Sequence, residues 1–303
     1  MTSLTIEDET RVLDLEDESA PEPMADPRPG IRPAAILRAA AGAFAALMVA
    51  FLVFLLVLSA LPEQRDQTRR DRVLRSELAT AQAPVGGGIA EGRPVAILTI
   101  PALDIRQVVA EGTTARTTMG GAGHVRATPL PGQAGNSVVM ARRSTFGAPF
   151  RHLGSLRRGD RVRVVTGQGR FTYRVTGVRT VPAGDRGLFA TTSRAGRLSL
   201  VTGDPALRPS RYLVADASLE GRVAASGPHA RRIVAAETGL VGQGGGLLPL
   251  ALGLLLLGAL GAATTWLLMT WRPWSTYLVA TPAILAGVWW VCVLAAPRLP
   301  ALL

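Results

Sequence analysis

Three long apolar stretches constrain the architecture of this chain, because each is long enough to cross a lipid bilayer. Residues 39–62 are 24 consecutive uncharged residues, and a helix rising about 1.5 Å per residue over that length spans a hydrocarbon core of roughly 30 Å. Two further stretches, 247–271 and 276–297, close the sequence and are separated by a turn with Arg272 and Pro273. The sequence predicts one N-terminal membrane helix and a C-terminal helical hairpin on either side of a soluble middle.

Each apolar stretch has an alternative interpretation. In the alternative for the first stretch, residues 34–62 are a cleaved signal peptide. Its apolar run, however, is longer than the usual h-region and follows a long leader. The hairpin would be two buried helices of a soluble domain, but neither stretch has a polar face. An uncleaved signal-anchor and a membrane hairpin are therefore favoured.

The polar segments divide the rest of the chain. Residues 1–33 hold nine acids against three arginines and are predicted to form a disordered tail. Residues 63–92 are interpreted as a charged helical stalk with a Gly/Pro hinge, and residues 221–246 as a linker. The arginines on the two sides of the first span leave its orientation ambiguous, since long loops cross the membrane largely regardless of their charge.

The composition excludes several kinds of chemistry. One cysteine cannot build a disulfide framework or a thiolate zinc site. The basic residues are all arginine, which excludes a phosphate-binding loop ending in lysine and any Schiff-base mechanism. No metal or organic cofactor is predicted. The one thiol, Cys292, falls in the last apolar stretch, where burial disfavours a thiolate.

The soluble middle, residues 93–220, reads as an all-β barrel or sandwich. Its segments are short, rich in β-branched residues and separated by turn residues, with a break at Pro101 and a hairpin turn at residues 167–169. The predicted strands are 95–100, 105–109, 137–141, 161–166, 171–181, 197–202 and 211–219.

Five segments of this domain, in chain order, resemble the sortases. Sortases are the membrane-anchored cysteine transpeptidases of Gram-positive surfaces, and the likeness is greatest to the actinobacterial class E type. The first segments are Ile-Pro-Ala-Leu-Asp-Ile at 100–105, and Gly-His at 123–124 followed by Thr-Pro-Leu-Pro-Gly-Gln-Ala-Gly-Asn at 128–136. The others are the strand and loop 136–150, Arg-Arg-Gly-Asp at 157–160, and Leu-Ser-Leu-Val-Thr-Gly-Asp-Pro at 198–205.

The resemblance implies a sortase-type β-barrel and a reaction in which a thiolate attacks a threonyl carbonyl of a sorting signal. In the family a histidine acts as the general acid and an arginine steadies the substrate. Carried over position by position, the nucleophile falls on Gly203, the histidine on Arg142 and the arginine on Arg211. Two of the three groups are therefore expected to be missing, and Thr202, Asp204 and His124 are the further candidates for a substrate groove.

A relocated catalyst is the alternative at this site. Thr202, Ser199 and Ser210 carry hydroxyls, but a hydroxyl needs a neighbouring base before it can act as a nucleophile. The bases available are three histidines. No motif supports His152 or His229, and His124 falls on a family position without a catalytic role, so a structural or surface histidine is favoured.

The charge of the altered site suggests what it binds. Arg142 and Arg211 beside the open backbone of Gly203 would form a cationic groove for a carboxylate or anionic polymer, while Arg142 pointing to solvent is the favoured alternative. The domain carries nineteen arginines and far fewer acids. Few aromatic residues lie between them and no nucleic-acid motif is found, so an anionic cell-wall polymer or lipid headgroups are favoured over nucleic acid.

Three hypotheses follow. The first is a catalytically inactive sortase-like protein that serves cell-surface protein anchoring as a peptide-binding, scaffolding or regulatory partner of a surface-protein peptide or an active sortase. The second is an active transpeptidase or peptide hydrolase with a non-standard nucleophile, and the third is a membrane assembly factor that acts through its helices. The resemblance implies a multi-pass protein of the cytoplasmic membrane, with the barrel outside and the acidic tail and Arg272 inside.

Overall fold

The computed structural model describes residues 33–183, 185–189, 195–227, 237–240, 242, 246–270 and 273–303. The acidic tail predicted at residues 1–33 lies almost wholly outside the described residues, as do His229 and Arg272.

The apolar stretches form helices, because in the absence of water only intrahelical bonds satisfy the backbone of such a segment. Helix α1 is Pro33–Val53, a π-helical segment Phe54–Leu58 follows, and α2 is Ala60–Ala79. At the other end, α4 is Leu247–Thr270 and α5 is Pro273–Ala295. In the part of the chain that the structure describes, three helical regions are long and apolar enough to cross a membrane: Phe44–Ala79, Leu247–Leu267 and Leu278–Arg298. One candidate span is N-terminal and two are C-terminal, which confirms the number and the order of apolar helices predicted from the sequence.

The last two helices form an antiparallel pair. A side chain added to Gly253 of α4 would meet Leu294 of α5 at 3.3 Å and Val291 at 3.4 Å. Small residues at such positions let two membrane helices approach closely. The two helices of the predicted hairpin therefore pack directly against each other.

The middle of the chain is a closed barrel of eight strands in the order β1-β2-β3-β4-β7-β8-β6-β5. Alternation sets the two faces of each strand, since successive side chains point to opposite sides; in β5, Val162 and Val164 are buried while Arg161 and Arg163 are exposed. The strands are β1 Pro94–Ile100, β2 Ile105–Glu111, β3 Gly123–His124, β4 Gly135–Met140, β5 Arg161–Thr166, β6 Gly169–Pro182, β7 Gly196–Asp204 and β8 Arg211–Glu220.

The all-β prediction and its seven strands are confirmed, and the eighth strand is new. Strand β3 has two residues, too few for any period to show in the sequence. It pairs in parallel with β2 and antiparallel with β4. This short strand carries His124 into the barrel wall. The five-residue helix α3, Ala115–Met119, precedes it.

Helix α2 packs against the barrel along its length. Leu74 is fully buried against Val108 of β2. The amide of Gln67 accepts a hydrogen bond from the Val108 backbone at 2.7 Å and donates one to the Gly120 carbonyl at 2.7 Å. The charged segment predicted as a stalk is thus a helix with one face docked on β2.

A hydrogen bond made by Tyr173 in the barrel wall leads to a prediction about stability. Its side chain is fully buried, and its hydroxyl accepts a hydrogen bond from the Gly132 backbone at 2.6 Å. Burial raises the pKa of Tyr173 to about 12. Tyr173→Phe leaves the Gly132 N–H without a partner, so we expect the free energy of unfolding to fall by about 1–3 kcal/mol.

Denaturant titration of the detergent-solubilised chain, followed by circular dichroism, measures the change. Thr180→Val removes an exposed hydroxyl from the same strand and is expected to change stability by less than about 0.5 kcal/mol. Equal stabilities for the two variants would contradict the assignment of this hydrogen bond.

Candidate functional site

The candidate site lies where three strands end or begin together. Strands β4 and β7 pair in parallel, with Met140 opposite Val201, so the residues that follow them emerge at the same end of the barrel. Strand β8 runs antiparallel to β7, with Asp204 opposite Arg211. The structure therefore brings together the three positions that the resemblance singles out, Arg142, Gly203 and Arg211.

Arg142 is buried and does not enter a groove. Its side chain has no exposed surface, and its guanidinium donates to the Thr145 hydroxyl at 3.1 Å and to the Ala115 carbonyl at 3.2 Å. The guanidinium carbon lies 4.8 Å from the centre of the Phe146 ring, a cation–π contact. The expectation that Arg142 points to solvent is wrong, because the loop after β4 folds Phe146 over it.

The Arg142 cation has an incomplete set of partners. Within the described residues its Nε has no hydrogen-bond acceptor and no carboxylate forms an ion pair with it. Burial lowers the pKa of Arg142 to about 9. A buried charge without a counter-ion costs stability, so this arginine is held in place by the fold around it.

Arg143 takes the place beside Gly203 that the sequence assigned to Arg142. Its Nη1 donates to the Gly203 carbonyl at 3.0 Å and to Asp204 Oδ1 at 2.7 Å. Arg211, more than half exposed, donates to Asp204 Oδ2 at 2.9 Å. Arg142 and Arg143 lie in the loop after β4, outside the strands, so no strand alternation in the sequence shows which of the two side chains faces Gly203.

Asp204 therefore lies between two arginines, which it partly neutralises. The predicted groove of Arg142 and Arg211 does not form: one is buried and the other is paired with Asp204. The charge beside Gly203 is that of a three-membered cluster of Arg143, Asp204 and Arg211, with a net charge of one positive unit.

The hydroxyls near the site are engaged in structural hydrogen bonds. Thr202 is buried and donates to the Ala141 carbonyl at 2.8 Å. Ser199 lies 2.7 Å from Asp216 Oδ1 and 3.1 Å from Asn136 Oδ1. In the described ranges, no hydrogen bond joins Thr202, Ser199 or the exposed Ser210 to a histidine.

His124 occupies a buried polar site in the barrel wall. Its Nδ1 lies 2.9 Å from Glu111 Oε2 and its Nε2 lies 2.9 Å from the Pro129 carbonyl, so both ring nitrogens face acceptors. Thr128 is 3.2 Å from Nε2, but its hydroxyl donates to the Val125 carbonyl at 2.8 Å. The cavity beside the ring is about 10 Å³, room for about one water and not for a peptide. The ring of His124 is therefore enclosed by polar groups of the barrel wall.

Two further candidates are Cys292 and His152. Cys292 is buried in α5 among Phe54, Phe146 and Ala296, so it faces other protein segments. His152 is exposed, directly before a 3₁₀ turn. In the part of the chain that the structure describes, no group of three His, Cys, Asp or Glu side chains is arranged to hold a metal ion.

Comparison with known proteins identifies this kind of barrel. Residues 98–220 match the family model described as the Sortase domain. Sortase D of Bacillus subtilis is 29% identical over 127 residues, which cover 41% of this chain and 63% of that protein. Sortase SrtE1 of Streptomyces coelicolor is 32% identical over 102 residues, covering 31% of this chain and 29% of that protein. The matches thus span less than two thirds of each relative.

Two solved structures are also similar to this chain. A point mutant of sortase E from Streptomyces avermitilis is 31% identical, covers 44% of this chain and 91% of its own, and has a TM-score of 0.39. Sortase C from Clostridium perfringens, solved with the C-terminal cell wall sorting motif, is 19% identical and has a TM-score of 0.42. The match covers 52% of this chain and 89% of the sortase C chain. The barrel is a sortase domain, and through it the chain belongs to the sortase family.

The buried His124–Glu111 pair yields a stability prediction. His124→Ala leaves the Glu111 carboxylate buried without its partner, so we expect a loss of about 3–5 kcal/mol in the free energy of unfolding. Glu111→Gln keeps an acceptor for the ring and is expected to cost only about 1–2 kcal/mol. Denaturant titration measures both, with the exposed His152→Ala as the control. A His124→Ala variant as stable as His152→Ala would refute the structural role.

The unpaired cation of Arg142 yields a prediction with a pH dependence. The pKa of Arg142 in the fold is about 9, below the ordinary 12.5, so charge burial opposes folding at every pH below about 9 and less as the pH rises further. Arg142→Met should therefore raise the free energy of unfolding at pH 7 by about 1–3 kcal/mol.

That gain should shrink above pH 9, because the wild-type side chain then loses its proton in the fold. Arg158→Met, at an exposed arginine in the turn before β5, is the control and should change stability by less than about 0.5 kcal/mol. Denaturant titrations at several pH values measure both variants. A destabilised Arg142→Met would mean that the cation contributes more through its hydrogen bonds than its burial costs.

Proposed function

We propose that this chain is a catalytically inactive sortase-family protein, anchored in the cytoplasmic membrane, whose barrel serves cell-surface protein anchoring as a peptide-binding, scaffolding or regulatory partner. The observation that carries the proposal is Gly203. The resemblance puts the nucleophilic cysteine there, and glycine has no side chain.

The sortase reaction needs a thiolate, and the chain has one thiol in all. That thiol, Cys292, is buried in α5 among side chains of other segments. The hydroxyls of Thr202 and Ser199 are bound to a carbonyl and to Asp216. A hydroxyl without a base is a weak nucleophile, so these contacts support the loss of the acyl-transfer step.

The position of the general acid supports the same conclusion. Arg142 stands where the resemblance puts the histidine, and its N–H groups are directed at Thr145 and the Ala115 carbonyl. A general acid must reach the leaving group through a hydrogen bond. A buried guanidinium with its donors directed elsewhere does not deliver a proton to a peptide at Gly203.

The contacts of the membrane helices support the proposed topology. Phe54, in the second half of the sequence-predicted first span 34–62, shares one buried cluster with Phe146 of the barrel domain and with Cys292 and Ala296 near the end of the third span. With the Phe54 end of the first span on the side of the barrel, the opposite end of that span would lie across the membrane. We propose the barrel outside, the tail inside, and the domain limits given above.

The proposed partners are a surface-protein peptide or an active sortase. The sortase C structure of Clostridium perfringens was solved with a sorting motif, and a barrel of the same family is a reasonable receptor for such a segment. Exposed arginines such as Arg161 and Arg163 on β5 favour contact with an anionic wall polymer or lipid headgroups.

Activity measurements on the full chain test the proposal. We expect the detergent-solubilised protein to leave a peptide with a cell wall sorting motif intact and to form no acyl adduct by intact-mass spectrometry. Cleavage by the wild-type chain, abolished by one substitution in the barrel, would establish the rival enzyme. The third hypothesis assigns the function to the membrane helices. A chain without residues 238–303 that still supports cell-surface protein anchoring in full would therefore exclude it.

Restoring both groups is the complementary test. Gly203→Cys with Arg142→His should form a thioester with the peptide, and each single variant should be slower by on the order of 10²–10⁴-fold, because nucleophile and acid act as a unit. A side chain at 203 meets Pro209 and Leu302, so the double variant is best made in a chain without residues 299–303. Equal reactivity of Gly203→Cys alone would argue against a role for position 142.

A further inference from the structure

The residues that follow the third membrane helix enter the end of the barrel. A 3₁₀ turn, Ala296–Arg298, leads out of α5, and residues 301–303 are buried. Leu302 has no exposed surface and joins the core cluster that contains Met140, Val201 and Tyr212. We call residues 299–303, Leu-Pro-Ala-Leu-Leu, the strap.

The barrel holds the strap by its backbone as well as by its side chains. The Thr118 hydroxyl donates to the Ala301 carbonyl at 2.9 Å, and the Thr145 hydroxyl donates to a backbone oxygen of Leu303 at 2.9 Å. The Leu302 N–H donates to the Gly239 carbonyl at 2.9 Å. The partners come from α3, from the loop after β4 and from the segment before α4, so three separate parts of the chain satisfy the buried backbone of the strap.

The strap lies directly on Gly203. A Cβ atom at this position would be 2.9 Å from the Leu302 carbonyl oxygen and 3.3 Å from the Leu302 Cβ, and 2.7 Å from the Pro209 Cβ. Side-chain carbons do not approach other heavy atoms so closely without a shift. Any side chain at position 203 and the strap in its observed place therefore exclude each other.

The buried arginine belongs to the same arrangement. Arg142 donates to the Thr145 hydroxyl, and that hydroxyl donates to a backbone oxygen of Leu303. The residue at the family's histidine position thus orients a hydroxyl toward the strap. Both altered positions, 142 and 203, contribute to the way in which the strap is bound.

We infer that the strap is an intrachain occupant of the cleft at Gly203, and that it keeps a second extended apolar peptide out until it is released. This inference rests on the proposed function, since it names what regulates access to the same cleft. The tether through Ala296–Arg298 is short, so the strap faces its cleft at an effective concentration that a free peptide must exceed. Movement of the membrane hairpin would withdraw the strap and open the cleft.

Thiol labelling of the full chain tests whether the cleft is occupied. In a Cys292→Ala background, which has no other thiol, Leu302→Cys should react with a maleimide on the order of 100-fold more slowly than Leu207→Cys, because a buried site must open first. Leu207 is 71% exposed and sits in the loop between β7 and β8. Equal rates at the two positions would overturn the inference, whatever the protein binds.

A pair of glycine variants tests the role of position 203. Gly203→Ala, added to Leu302→Cys, should raise the labelling rate about 10-fold or more, because the new methyl group would lie 2.9 Å from the Leu302 carbonyl oxygen as well as 2.7 Å from the Pro209 Cβ, which shifts the opening equilibrium of the strap. Gly177→Ala is the matched control, since nothing lies within 4 Å of a Cβ at that strand glycine. Identical rates in the two backgrounds would overturn the proposed contact.

Peptide binding tests the exclusion of a second segment. The probe is a fluorescent synthetic copy of residues 296–303. We expect it to bind Leu302→Asp, and a chain that lacks residues 299–303, at least about 10-fold more tightly than the wild type, because the tethered competitor is removed. Equal affinity for all three chains would contradict the strap as a barrier. A chain with a protected Leu302→Cys that nevertheless cleaves the sorting peptide would refute the proposed inactivity and leave the occupied cleft standing.

Discussion

The parallel pairing of β4 with β7 fixes the place at which the candidate site forms. It joins Gly135–Met140 to Gly196–Asp204 across more than fifty residues of intervening chain, and it makes both strands end at one rim of the barrel. Because β8 returns antiparallel from that rim, the loop with Arg142, the end of β7 with Gly203 and the start of β8 with Arg211 meet there. A closed barrel with another strand order would separate them.

Packing and charge at this rim differ from those of an open binding groove. One arginine is buried beneath Phe146, and two others share Asp204. The space over Gly203 is filled by Pro209 and by the strap. A Cβ atom at position 203 would lie 2.9 Å from the Leu302 carbonyl oxygen, so the absence of a side chain there leaves room for the strap in its observed place.

Much of this architecture was predictable from local pattern. Alternation in residues 161–166 and 171–181 and the turn between them identify β5 and β6, and the seven predicted strands are all present. The two-residue strand β3 and the side on which Arg142 lies were not predictable. A short strand has no period, and the direction of a side chain in a loop depends on which neighbour covers it, here Phe146. The contacts of Arg143 with Gly203 and Asp204 could not be predicted either, because Arg143 lies in the same loop.

The three apolar spans, the all-β domain between them, the absence of a thiol in that domain and its family membership can be inferred from the amino-acid sequence. These features follow from composition, periodicity and short motifs, which are local properties of a chain. The folded chain was needed to show that His124 contacts Glu111 and Pro129, that Asp204 pairs with Arg143 and Arg211, and that Leu302 lies on Gly203. The last contact joins residues about a hundred positions apart, and no local pattern records it, because it exists only where barrel closure brings the two segments to one place.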